Sequence, residues 1–317
     1  MTDPIDHDGA AQARPEAIRA VPVRHPWRWV SAAAILVVGA QLGNWFFTNK
    51  ALGFSIARSY VFDHTIVEGV GLTLQLTIIA MVMGVVLGVI LAVMRLSKNP
   101  VVSTAAWGYI WFFRGTPVLV QLLFWFNLPT VVTAVSVGVP FGPSWFPQEP
   151  KELITAFTAA CLGLGLNEGA YMAEIARAGI LSVDAGQDEA ACALGMSRLQ
   201  TMRRIILPQS MRVIIPPTGN ETISMLKTTS LASTVTLLEL LGTSKAIYDR
   251  TYEVIPLLLT ASIWYLFLTS VLSVGQYYLE RRYARGSARA LPLTPRQKAL
   301  AFLAQRRGAR ARKAVLS

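Results

Sequence analysis

Four ionisable side chains stand where charge is expensive. Arg114, Glu168, Glu221 and Lys227 each lie in or beside a long apolar run. A charge facing lipid costs on the order of 3 kcal/mol, so such groups must face protein, water or the membrane interface. Thr116, Gln121, Asn220, Thr228 and Ser230 gather near them and add hydroxyls and amides. Acids, bases and neutral donors together suit the recognition of a zwitterion or of a charged side chain, and the set reads as a candidate substrate path. Plainer readings stand beside this one. Arg114 can snorkel to the headgroups, Glu168 can be hydrated at a helix end, and the hydroxyls between Glu221 and Glu239 can bond one helix to another. No nucleophile, base and orienting group recur at a useful spacing, so no catalytic residue is assigned. His7, His25 and His64 are scattered singly, and Cys161 and Cys192 form neither a disulfide framework nor a ligand cluster, so no metal site is expected.

The second constellation runs from Glu189 to Pro208, EAACALGMSRLQTMRRIILP, a charged and Gly-broken island between apolar runs. Ala190, Ala191, Ala193 and Leu194 favour a helix, and Gly195 stands where an αL cap would end it. Ser197 and Gln200 have the spacing of a capping box and start a second helix. Pro208 is expected to end that helix by disfavouring helical geometry at Leu207. Along it, Leu199, Met202, Ile205 and Ile206 share one face, with Arg198, Arg203 and Arg204 elsewhere. Glu189 reads as lying at the start of its own helix, where the dipole favours an acid. The island is thus a helix-turn-helix that hides one face on its own protein and offers the other. A DNA-reading module uses similar parts. Apolar spans a few residues away on both sides would press such a module against the headgroups, so no nucleic-acid partner is expected.

At these residues the sequence resembles a known family. Glu189-Ala190-Ala191, Gly195, Ile205, Leu207 and Pro208 match, without gaps, the EAA motif of permease subunits in binding-protein-dependent ABC importers. The stretches GAYMAEIARAGILSVDAGQDEAACALG (169–195) and FRGTPVLVQL (113–122) look like the polar amino acid subgroup. The resemblance covers about residues 66–282. It implies that Glu189, Ala190, Ala191, Gly195, Arg198, Arg203, Ile205, Leu207 and Pro208 couple the chain to a cytoplasmic ABC ATPase. It also implies a second permease chain, in a homodimer or heterodimer, and an extracytoplasmic amino-acid-binding protein. The chain has no GxxxxGKS/T phosphate loop, so ATP and Mg are expected on the partner and no cofactor on this chain. The function so implied is movement of polar or charged amino acids across the cell membrane. An ion-coupled transporter or channel would also suit Arg114, Glu168 and Lys227, and a membrane-anchored scaffold would use the island without solute flux.

Composition agrees with a bilayer. Hydrophobic residues make up 53% of the 317, charged residues only 15%, and mean hydropathy is +0.45, too apolar for an ordinary soluble domain. Eleven of the 29 basic residues follow Glu280, so the net charge of +11 gathers in a tail suited to anionic lipid heads. The expected fold is an all-α polytopic membrane helix bundle of about six transmembrane helices with a cytoplasmic coupling helix-turn-helix. Residues 1–24 read as a disordered cytoplasmic tail, 25–65 as an extra N-terminal transmembrane helix with an outer loop, 66–282 as the permease core, and 283–317 as a basic cytoplasmic tail. The core holds spans at 66–94, 101–128 (kinked at Pro117) and 152–172 (closing at Asn167-Glu168-Gly169), then an island loop at 173–217. A polar span through Leu241 and a last span at 255–279 follow. Residues 129–151 and 242–253 read as outer loops. Gly84 and Gly88 form a GxxxG pair that lets another helix approach, within this chain or from a second copy. The Lys/Arg distribution puts both termini in the cytoplasm.

Overall fold

The structure, a computed structural model, describes residues 26–132, 135–138, 144–148 and 150–283. The expected tails at 1–24 and beyond Tyr283 lie outside the described residues. Those residues fall into two units parted between Leu52 and Gly53. In the first unit, helix α1 spans Pro26–Thr48 and a 3-10 turn spans Lys50–Leu52.

The second unit is a helix bundle. Residues expected as an outer loop instead form the short helix α2, Phe54–Tyr60. α12 holds it: the Thr260 hydroxyl donates to Ala57 O at 3.1 Å and Trp264 Nε1 to Val61 O at 2.7 Å. α3 then runs His64–Arg95, N-capped by Asp63, whose carboxyl accepts from Thr65 N at 3.0 Å. Asn99 caps α4, Pro100–Gly115, with Pro100 in the first turn where no N–H is needed. The expected kinked span is in fact broken. α4 and α5 (Val118–Asn127) meet at a bend of 101°, with Thr116 extended before Pro117.

The next loop carries a two-stranded antiparallel hairpin that the sequence reading did not foresee, β1 (Val135–Gly138) and β2 (Ser144–Gln148), followed by the short helix α6, Pro150–Leu153. α7 spans Ala156–Leu181, so the span expected to close near Glu168 continues well past it. α8 (Ala185–Ala193) and α9 (Arg198–Thr201) form the expected helix-turn-helix. The second helix does not stop at Pro208. It passes through a π turn, Met202–Ile206, straight into α10, Leu207–Thr228. The π turn lets Leu207 N reach Met202 O and places Pro208 in the first turn of α10, where its missing N–H costs nothing. α10 ends in a 3-10 segment, Thr229–Val235, so the polar span is not one helix. The expected outer loop after it is helix α11, Leu240–Thr251, and α12 spans Val254–Tyr283.

By length and composition three helices, α1, α3 and α12, can cross a membrane, or four if α4 and α5 count as one broken span. Six were expected. α7 and α10 are long enough at 26 and 22 residues but are less apolar. α7 packs against α3, α4, α5 and α10. Surrounded by protein, it has no need of a lipid-compatible surface.

The tightest packing is between α3 and α7. A methyl group on Gly84 would collide with the Glu168 side chain, and one on Gly88 with Met172. The GxxxG pair therefore serves packing within the chain. Leu76, Ala80, Leu122, Ala160 and Leu164, all at 0% exposure, fill the core beside this contact.

Candidate functional site

Pro117 sets the geometry of the site. Its missing N–H would have bonded the carbonyl four residues back, Phe113 O. Two side chains supply that carbonyl instead: Gln121 Nε2 at 3.0 Å and Asn167 Nδ2 at 2.8 Å. Gln121 Nε2 also meets the Thr116 hydroxyl at 2.7 Å. Gln121 Nε2 thus braces the break, its Oε1 meets no donor among the described residues, and Gln121 is not in the lining of the cavity that the break opens.

The break opens a cavity of about 600 Å³ between α4, α5, α7 and α10. Of the candidate path residues, Arg114, Thr116, Glu168, Glu221 and Thr228 line it, together with Asn167, Tyr171 and Ser224. Glu168 is buried at 3% exposure in mid-helix, which removes the reading of a hydrated helix end. Its Oε1 has no hydrogen-bond partner among the described residues. Arg114 is exposed, with its guanidinium carbon 5.2 Å from the centroid of the Tyr171 ring. Arg114 is close enough to act electrostatically on Glu221, and Glu221 on Glu168. A buried carboxyl without a donor, a second acid and a guanidinium around one space can hold a cation and an anion together, the two ends of an amino acid.

The remaining candidates do not reach this cavity. Asn220 is exposed and accepts from Gln276 Nε2 of α12 at 2.8 Å. Lys227 is exposed and makes no ion pair with Glu221: six residues apart on α10, the two lie about 120° apart round the helix, and only Glu221 lines the cavity. The Ser230 hydroxyl donates to Lys227 O at 2.7 Å. Thr218, Thr222, Thr228, Thr229, Ser233 and Thr234 likewise donate to carbonyls three or four residues back. The hydroxyls of this stretch mostly donate within their own helix and do not join helices; Ser224 and Thr228 alone among them line the cavity. Tyr171 was missed because an aromatic residue near the end of an apolar run carries no signal until Arg114 is placed over it.

The elbow is built as its caps dictate. Gly195 has φ of +73°, and Gly195 N to Cys192 O (2.9 Å) with Met196 N to Ala191 O (3.0 Å) makes a Schellman ending. Ser197 and Gln200 close the capping box, with Ser197 N donating to Gln200 Oε1 at 2.9 Å. Two expectations change here. α8 starts at Ala185 behind the Asp184 cap, so Glu189 is not in its first turn. Leu199 points outward at 66% exposure while Thr201 is buried at 2%, and of the expected face only Met202, Ile205 and Ile206 are half-buried. Ala190 is exposed and Ala191 buried, and Arg198 and Arg203 are exposed. Leu199, Gln200, Arg203 and Arg204 frame a hollow of about 420 Å³. Ile205 is half-buried, and Leu207 and Pro208 are exposed at the head of α10.

Both walls of the cavity lead into this elbow. α10 carries Glu221, Ser224 and Thr228 and is continuous with α9, and α7 carries Glu168 and Tyr171 and ends three residues before α8 begins.

Residues 84–285 match the family described as binding-protein-dependent transport system inner membrane component. The arginine transport system permease protein ArgU of Corynebacterium glutamicum is 50% identical over 98% of this chain and 95% of its own. The nopaline transport system permease protein NocM of Agrobacterium fabrum is 40% identical over 66% of this chain and 83% of its own. Among solved structures, one described as an amino acid ABC transporter with histidines aligns with a TM-score of 0.58 at 36% identity, over 69% of this chain and 94% of that chain. A multi-pass helix bundle with a capped elbow and long identity to transport permeases leaves one assignment: the chain belongs to the family of binding-protein-dependent transport system inner membrane components.

Proposed function

We propose that this chain is the permease subunit of an ABC importer for amino acids, with a cationic amino acid as its cargo. One observation carries the reading: the unpartnered Glu168 carboxyl and Glu221 share a cavity with Arg114, so a cationic side chain and an α-carboxylate each find an opposite charge. The relatives named for arginine and nopaline transport support it.

Energy comes from a separate ATPase, which carries ATP and Mg. Of the elbow residues Glu189, Ala190, Ala191, Gly195, Arg198, Arg203, Ile205, Leu207 and Pro208, the exposed ones form its docking surface, while buried Ala191 and half-buried Ile205 hold that surface in place. Exposed Leu194 and Leu199, at 81% and 66%, supply apolar contact, and the exposed arginines supply charge. The helical run from Arg203 to Glu221, which contains Pro216 and Pro217, spans roughly 27 Å at the α-helical rise, so a push on the elbow reaches the cavity wall through continuous helix. The cavity then changes side, as in alternating access. A second permease chain and an extracytoplasmic amino-acid-binding protein complete the importer. The elbow and both termini lie on the cytoplasmic side of the cell membrane.

Reconstitution with the ATPase and the binding protein tests this. Labelled arginine should enter liposomes only with ATP, and Glu221→Gln should raise KM several-fold while ATPase association persists. Uptake driven by an ion gradient without the ATPase, or uptake of neutral amino acids in place of arginine, would overturn it.

A further inference from the structure

The binding cavity has a neighbour. A second cavity, of about 460 Å³, is lined by Arg95, Trp107, Trp111 and Glu174, and it shares Arg114 and Tyr171 with the first. On α7, Glu168, Tyr171 and Glu174 follow at three-residue spacing, each about 4.5 Å further along the axis and about 60° further round the helix, so Tyr171 lies between the two acids. Glu168 belongs to the first cavity, Glu174 to the second, and Tyr171 to both. Arg114 lies over the Tyr171 ring at the same level, 5.2 Å from its centroid. It sits in the last turn of α4, two residues before the extended Thr116 at the break. Glu174 lies on the elbow side of the pair, because α7 runs on from it towards α8.

We propose that Arg114 and Tyr171 form the gate between the binding cavity and an exit vestibule, and that a cationic amino acid passes from Glu168 to Glu174 when the pair opens. The cargo's charge rests on the reading of the cavity given above; the gate rests on the geometry. Arg114 has the same charge as the cargo, so while it covers the ring it both blocks and repels. When it leaves, the cargo's cation takes its place over the same ring face, and one cation–π contact replaces another. Glu174 receives the cargo without trapping it. Its Oε2 already accepts from Arg177 Nη2 at 2.7 Å and Nε at 3.2 Å, and Arg114 and Arg95 also act on it. A site that must release its ligand is better half-neutralised.

The gate is read by access to Ser224, which lines the binding cavity. In the assembled importer carrying Ser224→Cys and Cys192→Ser, a membrane-impermeant maleimide is applied from the elbow side without ATP. Tyr171→Ala should speed labelling several-fold, and Tyr171→Phe, which keeps the ring, should restore the slow rate. Tyr171→Leu carries the same expectation as Tyr171→Ala and serves if the latter fails to assemble. Glu174→Gln should lower the maximal rate of ATP-driven uptake several-fold with KM changed much less. Equal labelling rates in all forms, or Tyr171→Phe as open as Tyr171→Ala, would overturn the gate. Protection of Ser224→Cys by arginine reports the cavity reading separately: if protection is absent while the labelling pattern holds, the cargo assignment falls and the gate stands.

Discussion

Two buried acids, Glu239 and Glu168, occupy opposite conditions in the same bundle. Glu239, at 0% exposure, caps α11. Its carboxyl accepts from Gly242 N at 2.8 Å, from Leu241 N at 3.0 Å and from the Tyr265 hydroxyl at 3.0 Å, with the Thr73 hydroxyl 3.4 Å away. It thereby ties α3, α11 and α12 together, and the N-terminal end of α11 favours its charge. Glu168, at 3% exposure, lies in mid-helix with an oxygen that meets no donor among the described residues, beside open space. Burial is the same for both. The number of donors separates them, and it separates a clamp from a site waiting for a ligand.

The largest expected effect breaks the clamp. Glu239→Ala removes the cap of α11 and strands two backbone N–H groups and the Tyr265 hydroxyl in the interior, a loss of roughly 3 kcal/mol or more. Thermal unfolding of the detergent-purified protein should drop sharply, and Glu239→Gln, which keeps an acceptor, should recover part of the loss. If Glu239→Ala melts like the wild type, the contrast between the two acids has no energetic basis.

Glu168→Gln probes the other side. An amide keeps the shape and removes an uncompensated buried carboxyl, so the melting temperature should hold or rise. Arginine uptake should fall about tenfold or more, the equivalent of ~1.4 kcal/mol in binding. A fall in stability with unchanged uptake would make Glu168 a second clamp and end its role in the cavity.

This contrast marks how far the sequence could be read. The elbow was legible because its determinants are local: Gly195 for an αL ending, and Ser197 with Gln200 for a capping box, act within a few residues. Arg114, Glu168 and Glu221 were legible as charges in apolar text. Glu239 was not singled out, because its donors Tyr265 and Thr73 come from distant helices. Gln121 reads as a path residue because the need of the carbonyl freed by Pro117 for its amide is not visible in the sequence. α7 and α10 do not stand out by hydropathy, α7 because it packs among α3, α4, α5 and α10 and answers to that packing, α10 because it carries Glu221, Lys227 and a row of hydroxyls. The continuation through Pro208 was hidden because proline stops a regular helix, and the π turn before it is not regular.

The smallest expected effect sharpens the comparison with a third acid. Asp63 caps α3 as Glu239 caps α11, but in the open: it accepts from the Thr65 hydroxyl and from Thr65 N. These bonds, the hydroxyl's first, hold its carboxyl below the ordinary value of 3.8. A carboxyl lowered on folding adds stability above its unfolded value, and that increment is lost as pH falls through the lower folded one. Asp63→Ala should therefore cost about 1 kcal/mol near neutrality, well short of the clamp's loss. Asp63→Asn should match the wild type there, since either side chain caps a helix, and should lose less than the wild type on acidification below the carboxylate range. Melting curves of the two proteins taken down through that range provide the check. If the wild type and Asp63→Asn decline together, the charge of Asp63 adds nothing to its cap, and burial alone would account for the greater weight of Glu239.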